Sequence, residues 1–285
     1  MEGYVATIGM FDGVHRGHQF VLRQVVQTAR ERGMRSLAIT FDHSLRREQV
    51  LTPLEEKLAL IKGTGIDCVE VLSFTDALRQ MTAYDFMQQV LSQQLGVKVL
   101  LTGYDNRFGR NREDGFDDYV RYGRDMGIEV LQLPAEGKVS SSLVRKQLAE
   151  GHVAEATELL GRPYQLTGHV GHGEHIGTRL GYPTANIIPD EPLQLIPKAG
   201  VYAVKVLLPS SVQPLKGMMN IGTRPTFGQH PQTLEVHVFD YAGDLYGKQL
   251  RLMFSARLRG ERRYESAQAL VAQLETDMLL AKQQS

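Results

Sequence analysis

The sequence predicts an α/β domain with a parallel sheet, then an antiparallel β domain, barrel or sandwich, closed by a terminal helix. Three observations carry this. The chain has 285 residues, room for two domains at roughly 150 residues each. Strand-like and helix-like segments alternate as far as Leu160. From Tyr164 onward the pattern changes to short extended runs divided by turn signals. Alternation of the first kind gives parallel strands with helices on both faces, and the second kind gives antiparallel sheets.

The first half reads in order. Val5–Ile8 is an apolar run that stops at Gly9. Gly17–Arg32 carries Phe20, Val21, Val25 and Ala29 at helical spacing, with Gly33 as the residue after the helix. Leu37–Phe41 reads as a buried strand. Thr52-Pro53-Leu54-Glu55 reads as a helix start, with Thr52 as cap and Pro53 in the first helical position, and that helix runs to about Lys62. A strand follows near Cys68–Leu72. Thr82 opens the next helix and Gly96 closes it. Val97–Leu101 and Ile128–Leu133 read as further strands, with a helix from about Gly115 to Met126 between them.

In the second half the extended runs are Gln165–Val170, Val201–Leu208, Leu215–Ile221, Thr233–Phe239 and Leu250–Leu258. Gly168, Pro209-Ser210, Pro225 and Ala242-Gly243-Asp244 punctuate them. A last helix places Leu270, Val271, Leu274, Met278 and Leu279 on one face. The boundary falls near Leu160, giving domains of 1–160 and 161–285.

Composition removes several classes of function. Hydrophobic residues are 42% and charged residues 22%, ordinary for a globular chain. Thirty-two basic residues balance 32 acidic ones, so no global field draws nucleic acid or an anionic membrane. Cys68 is the single cysteine, which excludes an internal disulfide and a cysteine-rich metal site. No signal-peptide pattern opens the chain, and no apolar run approaches the ~18 residues of a membrane helix. A cytoplasmic protein is expected. The oligomeric state is not legible.

Between the first strand and first helix lies Gly9-Met10-Phe11-Asp12-Gly13-Val14-His15-Arg16-Gly17-His18. Glycines there permit close backbone approach. His15 and His18 fall at the helix N-terminus, where N–H groups and the dipole favour anions. By themselves these residues fit both a phosphate loop and a glycine-rich turn with exposed histidines. The string resembles the HxGH signature of adenylyl-transferring nucleotidylyltransferases, in the form found in prokaryotic bifunctional riboflavin kinase/FAD synthetases. Thr102-Gly103-Tyr104-Asp105-Asn106-Arg107-Phe108-Gly109 is similar to that family's GxDFRFG, with Asn106 in place of an aromatic residue. Val139-Ser140-Ser141-Ser142-Leu143-Val144-Arg145 is similar to its ISSTxxR, although a serine run is also an ordinary helix cap. The stretch matching the family's Pro-His-Pro keeps His43 without either proline, in a shortened loop.

The second half carries Gly173, Gly177, Arg179, Gly181, Pro183, Thr184 and Asn186 in a glycine-rich stretch. Thr184 and Asn186, two apart, share a side if extended, and oxygen donors suit Mg²⁺. His169, His172 and His175 lack the cysteine partners that would make zinc attractive. Gly177–Asn186 resembles the riboflavin kinase GxxLGFPTAN motif, and Asn220-Ile221-Gly222-Thr223-Arg224-Pro225-Thr226-Phe227 matches another. In an alternating strand Glu235 and His237 share one face, while Leu234, Val236 and Val238 share the other. A strand glutamate is ordinarily a solvated residue, but the family's EVH-type motif has its catalytic glutamate at this position.

The resemblance spans almost the whole chain and implies a Rossmann-like nucleotidylyltransferase domain followed by a barrel of riboflavin-kinase type. It implies ATP as co-substrate, Mg²⁺, and riboflavin, FMN and FAD as the flavins handled, with neither nucleic acid nor membrane as partner. For adenylyl transfer it implies catalytic His15 and His18. Gly9, Phe11, Asp12, Gly13, Gly17, Ser141, Ser142 and Arg145 would line the nucleotide phosphates, and His43, Asp105 and Asn106 the flavin and nucleotide cleft. For the kinase it implies Glu235 as general base and Thr184 and Asn186 at the metal. Gly173, Gly177, Arg179, Gly181, Pro183, Asn220 and Arg224 would bind ATP and flavin. The runner-up is a riboflavin kinase with a weak or degenerate adenylyltransferase half, motivated by the short loop after His43.

Overall fold

The computed structural model describes residues 3–42, 49–134, 137–172, 181–209, 211–223 and 232–284. By contacts the chain falls into two compact units, Met1–Ser141 and Ser142–Ser285.

The first unit is a five-stranded parallel sheet in the order β3-β2-β1-β4-β5. Its strands are β1 (Tyr4–Ile8), β2 (Arg35–Phe41), β3 (Cys68–Leu72), β4 (Val97–Thr102) and β5 (Glu129–Gln132). Because alternate side chains leave opposite faces, the strands feed two cores. Ala6, Ile8, Leu37, Ile39 and Leu100 enter one, and Val5, Ala38, Val99 and Leu101 enter the other. Both faces are therefore dry, as a parallel sheet requires. The chain reverses direction of winding at β1, so the carboxyl ends of β1, β2 and β4 open a crevice where ligands of such sheets bind.

α1 (Arg16–Glu31) buries Leu22, Val25, Val26 and Ala29. It ends as its glycine requires: Gly33 has φ +62, Gly33 N–H reaches the Arg30 carbonyl, and Met34 N–H reaches the Ala29 carbonyl, a Schellman closure. α2 (Leu54–Lys62) starts one residue later than the sequence predicts. Pro53 holds the cap position with φ −54 and ψ 154 and no side-chain cap bond. Thr52 is tied elsewhere through its backbone, its N–H donating to Asp12 Oδ1 at 3.3 Å. A short α3 (Asp76–Gln80), absent from the sequence reading, is capped by Thr75. α4 (Ala83–Asp85) is capped by Thr82 and continues as a π-helix over Phe86–Gln94. Its final bond runs from Leu95 N–H back five residues to the Val90 carbonyl. α5 (Phe116–Met126) completes the unit.

α6 (Ser141–Glu150) and α7 (Val153–Leu160) precede the change of pattern, and α7 lies against the longest barrel strand. The second unit is a closed antiparallel barrel in the order β10-β7-β6-β11-β8-β9. Its strands are β6 (Gln165–Gly171), β7 (Ala185–Pro189), β8 (Gly200–Leu207), β9 (Leu215–Thr223), β10 (Gln232–Val238) and β11 (Gln249–Arg259). β7 adds to the runs legible in the sequence. Leu166, Val204, Val206, Ile221, Val236, Leu252 and Phe254 are buried within the unit.

α8 (Ala267–Gln284) closes the chain. Leu274, Met278 and Ala281 pack on Ala203, Met218 and Phe239. Leu279 is 61% exposed, which corrects the sequence reading of that face. The cause is Asp277, which is buried and takes three bonds from Arg259, Nε at 3.1 and 2.9 Å and Nη2 at 2.7 Å. Satisfying that carboxylate turns Asp277 inward and leaves Leu279 off the seam.

Candidate active sites

In the first unit, the loop after β1 is strained and tied down from several sides. Phe11 (φ 48), Gly13 (φ 83) and Val14 (φ 38) all adopt left-handed backbone. For a β-branched residue such as Val14 this is a real outlier, and such strain persists only where surroundings impose it. Here Val14 N–H bonds to the Phe11 carbonyl, and Gln19 Nε2 donates to the Val14 carbonyl at 2.8 Å. Asp12 is buried, and its Oδ1 accepts the N–H groups of Leu51 and Thr52 at 2.9 and 3.3 Å. Its side chain holds the loop to the segment before α2, while Ser141 Oγ donates to its backbone carbonyl at 2.8 Å.

The histidines sit where this loop becomes α1. His15 is the cap, and its Nδ1 accepts the His18 N–H at 3.3 Å. The two rings stack with centroids 3.6 Å apart, and the Phe11 and His18 rings meet nearly at right angles with centroids 5.3 Å apart. His18 Nδ1 is buried with no hydrogen-bond partner among the described residues. Burial first, then the neighbouring His15 and Lys57, holds the His18 imidazole well below the ordinary 6.5. A neutral ring with an unsatisfied buried nitrogen is a group prepared for a ligand. Gly9 gives its N–H to the Ile39 carbonyl at the same end of the sheet. Gly17 lies against the His15 ring, and a Cβ there would approach Cε1 and Nδ1 to 3.3 Å.

Beside this loop is a cavity of about 400 Å³ whose lining includes Ile8, Met10, Phe41, Phe74, Phe86 and Phe108. Arg79, Arg107, Arg110 and Arg112 also border it, all four exposed. Asn106 Nδ2 donates to the Ile8 carbonyl at 2.6 Å, fixing the 103–109 loop to β1. Asp105 is exposed and is not part of the lining. An apolar, aromatic-lined hollow with cationic groups on its border suits a flat ring system carrying an anion. The arginines at 79, 110 and 112 were missed in the sequence because nothing in their spacing marks them. Their convergence depends on Arg112 at φ 54 and Asn111 at φ 59, and on the Arg110 N–H bond to the Met81 carbonyl.

Ser142 and Arg145 follow Ser141 along α6 and group with the second unit. His43, Gly173, Gly177, Arg179 and Arg224 lie outside the described residues.

In the barrel, antiparallel register assembles a polar row. Glu235 on β10 is paired with Asn186 on β7 and with Asn220 on β9. Directly paired residues project from one face of a sheet, so a carboxylate stands between two carboxamides across three strands. Thr184 Oγ1 adds a long bond to Glu235 Oε2, 3.5 Å. Leu234, Val236 and Val238 are buried on the other face, as alternation in the sequence predicts. His237 Nδ1 donates to the Pro183 carbonyl at 2.7 Å, which places its proton on Nδ1 and anchors the chain just before Thr184. Tyr182 and Phe239 flank the His237 ring, each 5.6 Å away. Gly181 has φ +86 at the start of this stretch.

The Thr184 hydroxyl and the Asn186 carboxamide offer neutral oxygen donors, with the Glu235 carboxylate beside them. That fits Mg²⁺, which completes its shell with water and phosphate oxygens. His169 and His172 do not cooperate toward a metal. His169 Nδ1 pairs with Asp190 Oδ1 at 2.5 Å, and His172 packs on Tyr246 with centroids 4.2 Å apart. His175 lies outside the described residues.

Comparison with known proteins places both halves. Residues 1–143 match the FAD synthetase family model and residues 160–285 match the riboflavin kinase model. The bifunctional riboflavin kinase/FMN adenylyltransferase of Escherichia coli (strain K12) is 38% identical over 295 residues, covering 99% of this chain and 93% of that protein. The protein of the same name from Pseudomonas fluorescens is 38% identical over 292 residues with the same coverage. A crystal structure of a Streptococcus pneumoniae protein, described as a macrolide-efflux protein, superposes with a TM-score of 0.90. It is 27% identical, covering 100% of this chain and 96% of that one. No helix among the described residues here is long and apolar enough to cross a membrane. Over nearly its full length, with both modules in order, the chain belongs to the bifunctional riboflavin kinase/FMN adenylyltransferase family.

Proposed function

We propose that the chain carries out two consecutive ATP-dependent steps, phosphorylating riboflavin to FMN in residues 161–285 and adenylylating FMN to FAD in residues 1–160. The family supports both activities and ATP as their co-substrate. The observation that carries the first is the Asn186–Glu235–Asn220 row with Thr184 beside it. Glu235 accepts the proton of the riboflavin 5′-hydroxyl as that oxygen bonds to the γ-phosphorus of ATP and ADP leaves. Mg²⁺, held through Thr184 and Asn186, would neutralise charge on the phosphates. Asn220 supports the ground-state orientation of Glu235. Phosphoryl transfer asks mainly for positioning and charge stabilisation, and this row supplies both from rigid strands.

In the first unit, a phosphate oxygen of FMN bonds to the α-phosphorus of ATP, and pyrophosphate leaves with the cleaved oxygen. His15 and His18 donate to the charge that builds at the α-phosphorus, and Gly9, Gly13 and Gly17 let the phosphates approach the backbone. Ser141, whose Oγ is bonded to the Asp12 carbonyl, assists at the triphosphate. The isoalloxazine takes the hollow lined by Phe41, Phe74, Phe86 and Phe108, and arginines on its border hold the FMN phosphate. This occupancy explains why Asn106, smaller than an aromatic residue, is compatible with the site: four phenylalanines already line the hollow. We place the protein in the cytoplasm, where ATP is available.

The direct experiment incubates the purified chain with riboflavin, ATP and Mg²⁺ and separates the flavins chromatographically, with a parallel run on dithionite-reduced flavin. FMN followed by FAD is expected. FMN alone in both runs would leave the kinase and remove the adenylyltransferase. No new flavin would overturn the reading.

A further inference from the structure

Lys57 lies in the first turns of α2 and is completely buried. Its Nζ donates to the Phe41 carbonyl at 2.7 Å and to the Met10 carbonyl at 3.3 Å. Thr40 Oγ1 adds a 3.3 Å bond to the same Met10 oxygen. These carbonyls lie where β1 and β2 end, and both residues line the cavity. Met10 immediately precedes the left-handed Phe11–Val14 segment that delivers His15 and His18.

A buried ammonium is costly to desolvate and is retained where it is well paired. Methionine would fill nearly the same volume without that penalty, so packing alone does not account for a charge here. We propose that Lys57 is a positioning residue for adenylyl transfer. Its ammonium latches the Met10 and Phe41 carbonyls and thereby holds the strained loop that presents His15 and His18. The inference rests on reading the first unit as the adenylyltransferase. The ammonium has a second consequence, because it adds to burial and to His15 in disfavouring the protonated form of His18. Among the described residues, the His15 and Phe11 rings lie against His18, and Lys57 supplies the nearby positive charge.

The test uses the full chain as wild type, K57M and K57R. FAD formation from FMN, ATP and Mg²⁺ is measured beside riboflavin phosphorylation in the same preparations, and the His18 imidazole is titrated by NMR. K57M is expected to lose at least about tenfold in kcat for FAD formation, with KM for FMN shifted less than about threefold and kinase activity retained. The His18 midpoint is expected to rise in K57M and to return toward wild type in K57R, with activity following it. Full adenylylation by K57M overturns the proposal. So does a loss that K57R does not relieve and that leaves the His18 midpoint in place, because that pattern belongs to a packing role. If K57M unfolds the first unit, K57Q, which keeps a donor without the charge, carries the same comparison. Wild-type chain that makes FMN but no FAD overturns the underlying reading and the proposal with it.

Discussion

The two units hold phosphate chemistry by opposite means. In the first, a loop is bent into left-handed backbone at Phe11, Gly13 and Val14 and then fastened by buried polar groups, Asp12, Lys57 and Ser141 among its partners. In the second, the described residues of the polar row lie on paired strands. Glu235, Asn186 and Asn220 come together because three antiparallel strands are in register. The lesson concerns where the energetic cost falls. A loop site depends on distant groups that must all be present, whereas a register site comes with the sheet and is lost only if pairing slips.

That contrast can be broken most directly at Glu235. E235Q keeps the shape of the row and removes the base, so riboflavin phosphorylation is expected to fall about 10²- to 10⁴-fold. FAD formation from supplied FMN should stay at the wild-type rate in the same preparation. A surviving kinase would mean that the row is structural. The reciprocal change, H15N or H18N, is expected to lower FAD formation about 10²- to 10³-fold while leaving phosphorylation intact. Single-turnover measurement of each half-reaction separates the two sites.

The dependence of the first site on distant groups is sharpened by Gly109. It has φ +88, and a Cβ would fall 2.6 Å from the Ala83 nitrogen. G109A is expected to destabilise the first unit by about 1–3 kcal/mol and to weaken flavin binding there, read from chemical denaturation and FMN titration. No equivalent effect should appear in kinase activity.

Protonation offers a further contrast. The folded His18 holds its proton less tightly than an unfolded histidine near 6.5. As pH falls below that value the unfolded chain takes up the proton first, and stability of the first unit declines until the folded value is reached. H18Q should flatten this acid dependence. An unchanged slope would remove His18 from the account. The smallest effect is expected at the bidentate Arg32–Glu129 pair joining α1 to β5. Its side chains are 36% and 48% exposed, and solvent screening limits E129Q to less than about 1 kcal/mol.

Much of the scaffold is legible in the sequence because periodicity reports burial. The alternation through β10 predicts that Glu235 and Leu234 face opposite ways, and they do. β7 is less legible, since Ala185–Pro189 offers only a short apolar run beside a proline and becomes a strand through its neighbours β6 and β10. The start of α2 also departs from the local pattern: Thr52 has good capping chemistry, but the helix begins one residue later with Pro53 at the cap, and Thr52 N–H is bonded to Asp12, forty residues earlier. Lys57 left a faint signal, a lysine four residues before Ile61 on the face that α2 buries. Nothing local says that two strand-end carbonyls wait for it. Arg110 and Arg112 beside the cavity are likewise invisible one-dimensionally, because the left-handed backbone at Asn111 and Arg112 sets their direction.

The barrel topology also dictates when during synthesis this protein can become whole. Strands β1 to β5 pair within the first 132 residues, so the parallel sheet can assemble while the remainder is still being translated. The barrel has no such freedom. β6, its first strand, pairs with β11, its last, through contacts such as His169 with Gln249. Until the ribosome has delivered the chain past β11, β6 presents an open backbone edge, the kind of surface that recruits stray strands. The kinase half therefore matures last, and a nascent chain stalled before Gln249 carries a finished sheet and an unfinished barrel.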